Sequence, residues 1–200
     1  MKNRMWGRRS FLRILKPHAD FMSTVRSTLF AELDRHRDMI PLDEIMAWLG
    51  KHEFNLEQLE RWLRFDPERY QRNLLHAGPA YQALLLCWRN GQRSPIHDHR
   101  GSACGVKVLS GTATETTFDF ADNGMICPVS SRQLSEGYIC GSYDADMHQV
   151  SNLQGDDADL VTLHIYSPPL LRMNMYSLTD DQVQEFSDPV NVEYEFGGGI

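Results

Sequence analysis

The sequence predicts a mainly β protein: a small antiparallel sandwich or barrel with a helical segment on its N-terminal side. Three observations carry this. From Tyr81 onward the chain breaks into short apolar or alternating runs, YQALLLCW, CGVKVL, TATETTF, EGYICGS and DLVTLHIYS. Glycine and asparagine punctuate these runs, as at Gly111, and short strands with such turns mark sandwiches and small barrels. Before Tyr81 the apolar period is helical, with Val25, Leu29 and Leu33 spaced by four.

The elements follow in chain order. Residues 1–30 carry Lys2, Arg4, Arg8, Arg9, Arg13, Lys16 and Arg26 against Asp20 alone. Residues 1–20 therefore read as a basic, partly mobile tail. Its GRRSFLRIL resembles a twin-arginine export motif, but LKPHADFMSTV follows where an apolar stretch and a small-residue cleavage site are needed. Residues 21–200 read as a single domain, helical over 21–66 and a β-barrel over 80–200. Pro41 opens a short helix, PLDEIMAWL, and Gly50 is expected to close it. Asn55 with Gln58 three residues on is a capping-box pattern ahead of Leu59, Trp62 and Leu63. The pattern breaks at Pro67, and the chain is expected to finish with a strand around Val190 to Phe196.

Composition narrows the functional classes. Apolar content of 42% and charged content of 24% are ordinary for a soluble domain. A net charge of -7 argues against a nucleic-acid partner, and no run approaches the ~18 apolar residues of a membrane helix. Cys87, Cys104, Cys127 and Cys140 form no CxxC pair, so free thiols in a reducing cytoplasm are expected.

The chemistry concentrates in SPIHDHRGSACGVKVLSG. Residues i and i+2 of a strand share a face, so His97 and His99 aim both imidazoles at one point and Asp98 turns away. Two imidazoles at one point bind a divalent metal well, and His148 in MHQVSN is the third ligand nearest to hand. Taken singly, each histidine also reads as a surface or core residue with a local hydrogen bond. His18, His36, His52 and His76 lie outside these motifs and read as surface or structural residues.

The spacing from Gly91 through His97, His99 and Cys104 to Gly111 resembles the first motif of the cupin superfamily. His148 and Asn152 resemble the end of the second, whose usual Pro-x-Gly is replaced around Asp144, Ala145 and Asp146. The resemblance implies a cupin-type, jelly-roll-like small β-barrel. Cys104 falls where most cupins keep a metal-binding glutamate. Its loss leaves three neutral imidazoles, a set that favours an anionic ligand such as a thiolate.

From about Leu42 to Pro169 the chain resembles cysteine dioxygenases, through RFDPERYQRNLL, ALLLCW, SPIHDHRGSACGVKVLSG, MHQVSN and LVTLHIYSPP. The resemblance implies ferrous iron (Fe2+) on His97, His99 and His148. It implies a substrate carboxylate on Arg72, beside Tyr70, with Leu86 and Trp88 lining the pocket. Thr162, His164 and Tyr166 stand where the family has a Ser-His-Tyr series; threonine keeps the hydroxyl. A thioether between Cys104 and Tyr166 and a cis Ser167–Pro168 bond are also implied. The adjacent Gly105 leaves a one-residue alternative, because many bacterial relatives carry glycine and no crosslink at that place.

The implied reaction is L-cysteine plus O2 giving cysteine sulfinate, in a cytoplasmic monomer serving L-cysteine catabolism and taurine biosynthesis. Other readings stay open: a dioxygenase of 3-mercaptopropionate, a cupin with another metal and reaction, and a non-catalytic metal-binding cupin. Arg72 favours cysteine, because relatives acting on 3-mercaptopropionate usually have glutamine there. Alone, Cys87 reads as a buried apolar thiol, and Cys127 and Cys140 have no role.

Overall fold

A computed structural model describes residues 28–143, 146–187 and 189–191. The basic tail, the export-like motif, His18, Asp144, Ala145 and most of the expected Val190 to Phe196 strand lie outside the described residues. Residues 28–30 are helical, and among the described residues α1 (Leu42–Lys51) and α2 (Leu56–Leu59) follow, with 3-10 turns at Leu33–Arg35 and Glu60–Trp62. The strands begin with β1 (Gln71–Ala77), β2 (Gln82–Trp88), β3 (Ile96–His97), β4 (Ala103–Ser110), β5 (Thr112–Phe120) and β6 (Ile126–Ser135). They continue with β7 (Ile139–Tyr143), β8 (His148–Ser151), β9 (Leu160–Ser167), β10 (Met173–Tyr176) and β11 (Gln184–Phe186). One sheet runs β1-β2-β9-β4-β7 and the other β11-β10-β3-β8-β5-β6. Adjacent strands in both are antiparallel.

Burial explains the two textures in the sequence. Every residue of β2 and β9 is buried. Ala83, Leu85, Val161, Leu163 and Ile165 pack with Phe30, Leu33, Ile45, Trp48 and Leu49 from the helical segment. Leu84, Leu86, Trp88, Leu160 and Tyr166 pack into the interior between the sheets, with Val150, Leu134 and Met173 from the second sheet. A sheet covered on both faces reads as continuous apolar runs. β5 is only half covered, and its sequence alternates.

Helix α1 lies on β4 and β7 because two glycines make room for it. Gly105 and Gly141 are register partners. A Cβ on Gly105 would sit 2.4 Å from Ile45 Cγ2, and one on Gly141 would sit 2.7 Å from Leu42 Cδ1. The close approach buries Ile45 and Leu49 completely, which stabilises the packing by about 2 kcal/mol each. Gly50 does not close this helix, which continues to Lys51. Lys107 Nζ donates to Leu49 O and His52 O at 3.3 and 2.7 Å, satisfying carbonyls that the helix end exposes. Asn55 caps α2 as expected, but its side chain accepts from Glu57 N at 2.8 Å. Among the described residues no helix is long and apolar enough to cross a membrane.

The turns that frame the site follow from the motif residues. Gly91 and Gly111 both have positive φ, 81° and 85°, a conformation that costs glycine little. Asn152 is fully buried and donates to Trp88 O and Ala158 O at 3.1 and 2.8 Å, tying the end of β2 to the turn after β8. The Ser167–Pro168 bond is cis.

Candidate metal centre

The strand pairing assembles three histidines. His97 on β3 is the register partner of His148 on β8, and His99 lies two residues beyond the end of β3. Their ligand atoms lie within 4.8 Å of one another, and all three side chains are buried. Asp98 turns away, as alternation requires, and accepts from Asn174 N, Asn174 Nδ2 and Tyr176 Oη at 3.1, 2.8 and 2.8 Å. That buried carboxylate ties the metal segment to β10.

Each imidazole is held at its far nitrogen. His97 Nδ1 lies 2.9 Å from Pro95 O, His99 Nδ1 lies 3.1 Å from Ser142 Oγ, and His148 Nδ1 lies 3.0 Å from Glu115 Oε1. Nε2 is therefore the ligand atom left to each ring, and a contact at Nδ1 fixes tautomer and orientation. His99 Nε2 is buried with no hydrogen-bond partner. A buried lone pair left bare is costly in protein, and a metal ion would use it. Burial, then the neighbouring His148, pushes His97 down to about 3 and His99 well below the usual range, so both rings stay neutral as ligands must. Burial alone would raise Glu115, but the His148 contact and Arg132 outweigh it and hold its carboxyl at about 2. These observations fit a divalent metal.

A cavity opens beside the cluster. It is lined by Tyr70, Arg72, Leu86, Trp88, His97, His148, His164 and Tyr166, and also by Ser94, Val150 and Met173. Arg72 stands on β1 opposite Leu86 and is 3% exposed, with its guanidinium 5.7 Å from the Tyr166 ring centre. Tyr70 stacks on Trp88 at 4.2 Å.

Thr162, His164 and Tyr166 share the inner face of β9 and form one hydrogen-bonded chain. Trp88 Nε1 donates to Thr162 Oγ1 at 3.1 Å, Thr162 Oγ1 meets His164 Nε2 at 2.9 Å, and His164 Nδ1 meets Tyr166 Oη at 3.0 Å. Burial, then His148, drives His164 well below its usual value; burial, then Cys104, drives Tyr166 well above its own. Cys104 is the direct register partner of Tyr166, and both side chains are buried in the same core cluster. Gly105 faces α1 instead.

Cys87 is buried on the face opposite Leu86 and Trp88, where Asn73 Nδ2 donates to its sulfur at 3.4 Å. His36, His52 and His76 lie elsewhere; His76 binds Asp34 and stacks on Phe30. Sequence reasoning missed Glu115, Arg132, Ser142, Ser94, Val150 and Met173. Only the strand register brings them to the site.

A sequence model of the family described as cysteine dioxygenase type I matches residues 19–179. The chain belongs to the cysteine dioxygenase type I family. Its relatives include cysteine dioxygenase type 1 of Rattus norvegicus, 37% identical over 137 residues, spanning 66% of this chain and 68% of that protein. The enzyme of that name from Bos taurus is 35% identical over 163 residues, spanning 78% of each chain. A solved structure of a double-stranded β-helix domain protein from Klebsiella pneumoniae matches with a TM-score of 0.50 at 14% identity, over 62% of this chain and 91% of that one. That likeness shows the cupin fold alone.

Proposed function

We propose that the protein oxidises L-cysteine with O2 to cysteine sulfinate, with ferrous iron held by His97, His99 and His148, in the cytoplasm and as a monomer. The observation that carries this reading is Arg72, a buried arginine lining the cavity that His97 and His148 also line. Family membership supports dioxygenase chemistry on a thiol; Arg72 supplies the reason for a carboxylate on that thiol's carrier.

The residues divide the work. Bound there, a ferrous ion supplies a centre where thiolate and dioxygen meet. Arg72 grips the substrate carboxylate through two parallel N–H donors, which fixes where the sulfur can lie. Tyr70, stacked on Trp88, and Leu86 wall the cavity and exclude water. The direction of the β9 hydrogen bonds follows from Trp88, whose indole N–H only donates. Thr162 Oγ1 accepts from it and gives its own proton to His164 Nε2. Neutral His164 then carries its proton on Nδ1 and donates to Tyr166 Oη. Tyr166, kept protonated by burial, has its hydroxyl proton left to offer into the cavity. The overall change balances without a reductant: RSH plus O2 gives RSO2H, with both oxygen atoms on sulfur.

The implied Cys104–Tyr166 thioether is part of the same proposal, supported by their register and their shared burial. Oxygen uptake by the iron(II)-loaded protein tests the whole reading, with L-cysteine and 3-mercaptopropionate offered separately and the sulfinate weighed by mass. Faster uptake with L-cysteine is expected. Preference for 3-mercaptopropionate, which has thiol and carboxylate but no amine, would overturn the substrate and keep the chemistry. No uptake with either would overturn the reaction.

A further inference from the structure

Of the three imidazoles, His148 alone leans on a charge. His97 and His99 meet neutral oxygens, Pro95 O and Ser142 Oγ. His148 Nδ1 meets the Glu115 carboxylate, and both groups are more than nine-tenths buried. Glu115 reaches His148 with Oε1, while Arg132 Nε and Nη2 both bind Oε2 at 2.7 Å. Glu115 and Arg132 are register partners on β5 and β6, so the sheet itself holds the clamp. Arg132 is half exposed, on a cleft of about 440 Å3 behind His148.

A carboxylate accepting the Nδ1 proton does two things to an imidazole. It locks the ring orientation, and it raises the basicity of Nε2 by drawing the far proton toward itself. We propose that Glu115, clamped by Arg132, is a positioning residue for the metal: it fixes His148 Nε2 on the ion and makes His148 the strongest donor of the three. It also sets a negative charge one residue behind a centre whose direct ligands are all neutral. The inference rests on the three-histidine metal site proposed above and goes beyond it.

The test uses the full chain, stripped of metal and loaded with zinc(II), which is diamagnetic and suits NMR. In the unaltered protein the Nδ1 proton of His148 should resonate furthest downfield of the three ligand imidazoles. Glu115→Gln keeps the shape and an acceptor oxygen but removes the charge. It should move that resonance upfield, leave those of His97 and His99 in place, and weaken zinc in a chelator competition about 10- to 100-fold. Ser142→Ala, the equivalent change behind His99, should weaken zinc less. Equal losses in the two variants, or unchanged affinity in Glu115→Gln, would overturn the role of the charge. A His148 Nδ1 proton no further downfield than the other two would overturn it without any variant. Failure of the unaltered chain to bind zinc would remove the metal site itself and the inference with it.

Discussion

Arg72→Gln is the sharpest probe of substrate identity. Arg72 sits on β1 at 3% exposure, so little water can enter to replace its contacts. Glutamine is shorter, neutral and carries a single NH2 group, so it cannot reproduce the two-pronged grip on a carboxylate. The substrate carboxylate would then lie in a largely dry cavity without its countercharge. Removing one partner of such a buried charge pair costs about 2–5 kcal/mol. That is a loss of about 30-fold to about 5,000-fold in kcat/KM. The assay is oxygen uptake across a concentration series of L-cysteine and of cysteamine, which keeps thiol and amine but lacks the carboxylate. The expected result is a large loss with L-cysteine, a change below about threefold with cysteamine, and unchanged iron content, since the histidines are untouched. Equal losses on both thiols would refute the assignment. So would a loss explained by lower iron content.

Four further outcomes follow from named contacts. If the thioether forms, the intact mass falls by about two hydrogens and resists reductant, and Cys104→Ser abolishes the change; a shift that survives in that variant would name another pair. Gly105→Ala drives a methyl group into Ile45 Cγ2 at 2.4 Å and Leu49 Cδ1 at 3.0 Å, so a loss of about 1–3 kcal/mol and about 2–12 °C in Tm is expected; an unchanged Tm would show that α1 does not lie so close. Trp88→Phe keeps the stack on Tyr70 but removes the indole N–H, so kcat should fall about twofold to tenfold with a displaced pH profile, while an unchanged profile would break the assigned hydrogen-bond direction. In the metal-free protein, His97 titrates near 3 when folded and near 6.5 when unfolded, so the unfolded chain binds more protons between those values and stability falls as pH drops through that window. Denaturant melts from pH 7 to 4 should show this slope, reduced in His97→Asn; a flat profile would contradict the burial of the ring.

The parts of the site legible in the sequence are those governed by alternation along one strand. His97-x-His99 and Thr162-x-His164-x-Tyr166 each share a face because period two requires it, and the structure keeps each set together. β2 and β9 are legible as strands because burial on both faces leaves mostly apolar positions, with Gln82, Thr162, His164 and Ser167 as the buried polar exceptions. What stayed hidden depends on register between strands distant in sequence. TATETTF reads as an ordinary half-exposed strand; nothing in it says that Glu115 lies opposite Arg132 and meets His148, thirty-three positions away. Helix α1 overran Gly50 for the same kind of reason, since the capping group is Lys107 from a strand.

The pair Cys104 and Gly105 shows how tertiary packing decides what alternation alone leaves open. Either residue could have faced the site, because a slip of one position exchanges the two faces of a strand. The helix breaks the tie. Ile45 and Leu49 press on β4 so closely that no side chain fits at that position, and Gly141 across the ladder meets the same constraint from Leu42 and Met46. Gly105 must therefore face outward, and Cys104 must face inward, opposite Tyr166. The thiol beside the tyrosine is thus set by the apolar face of α1 on the other side of the sheet. Crowding at Gly105 should for that reason disturb the Cys104–Tyr166 contact as well as the packing of the helix.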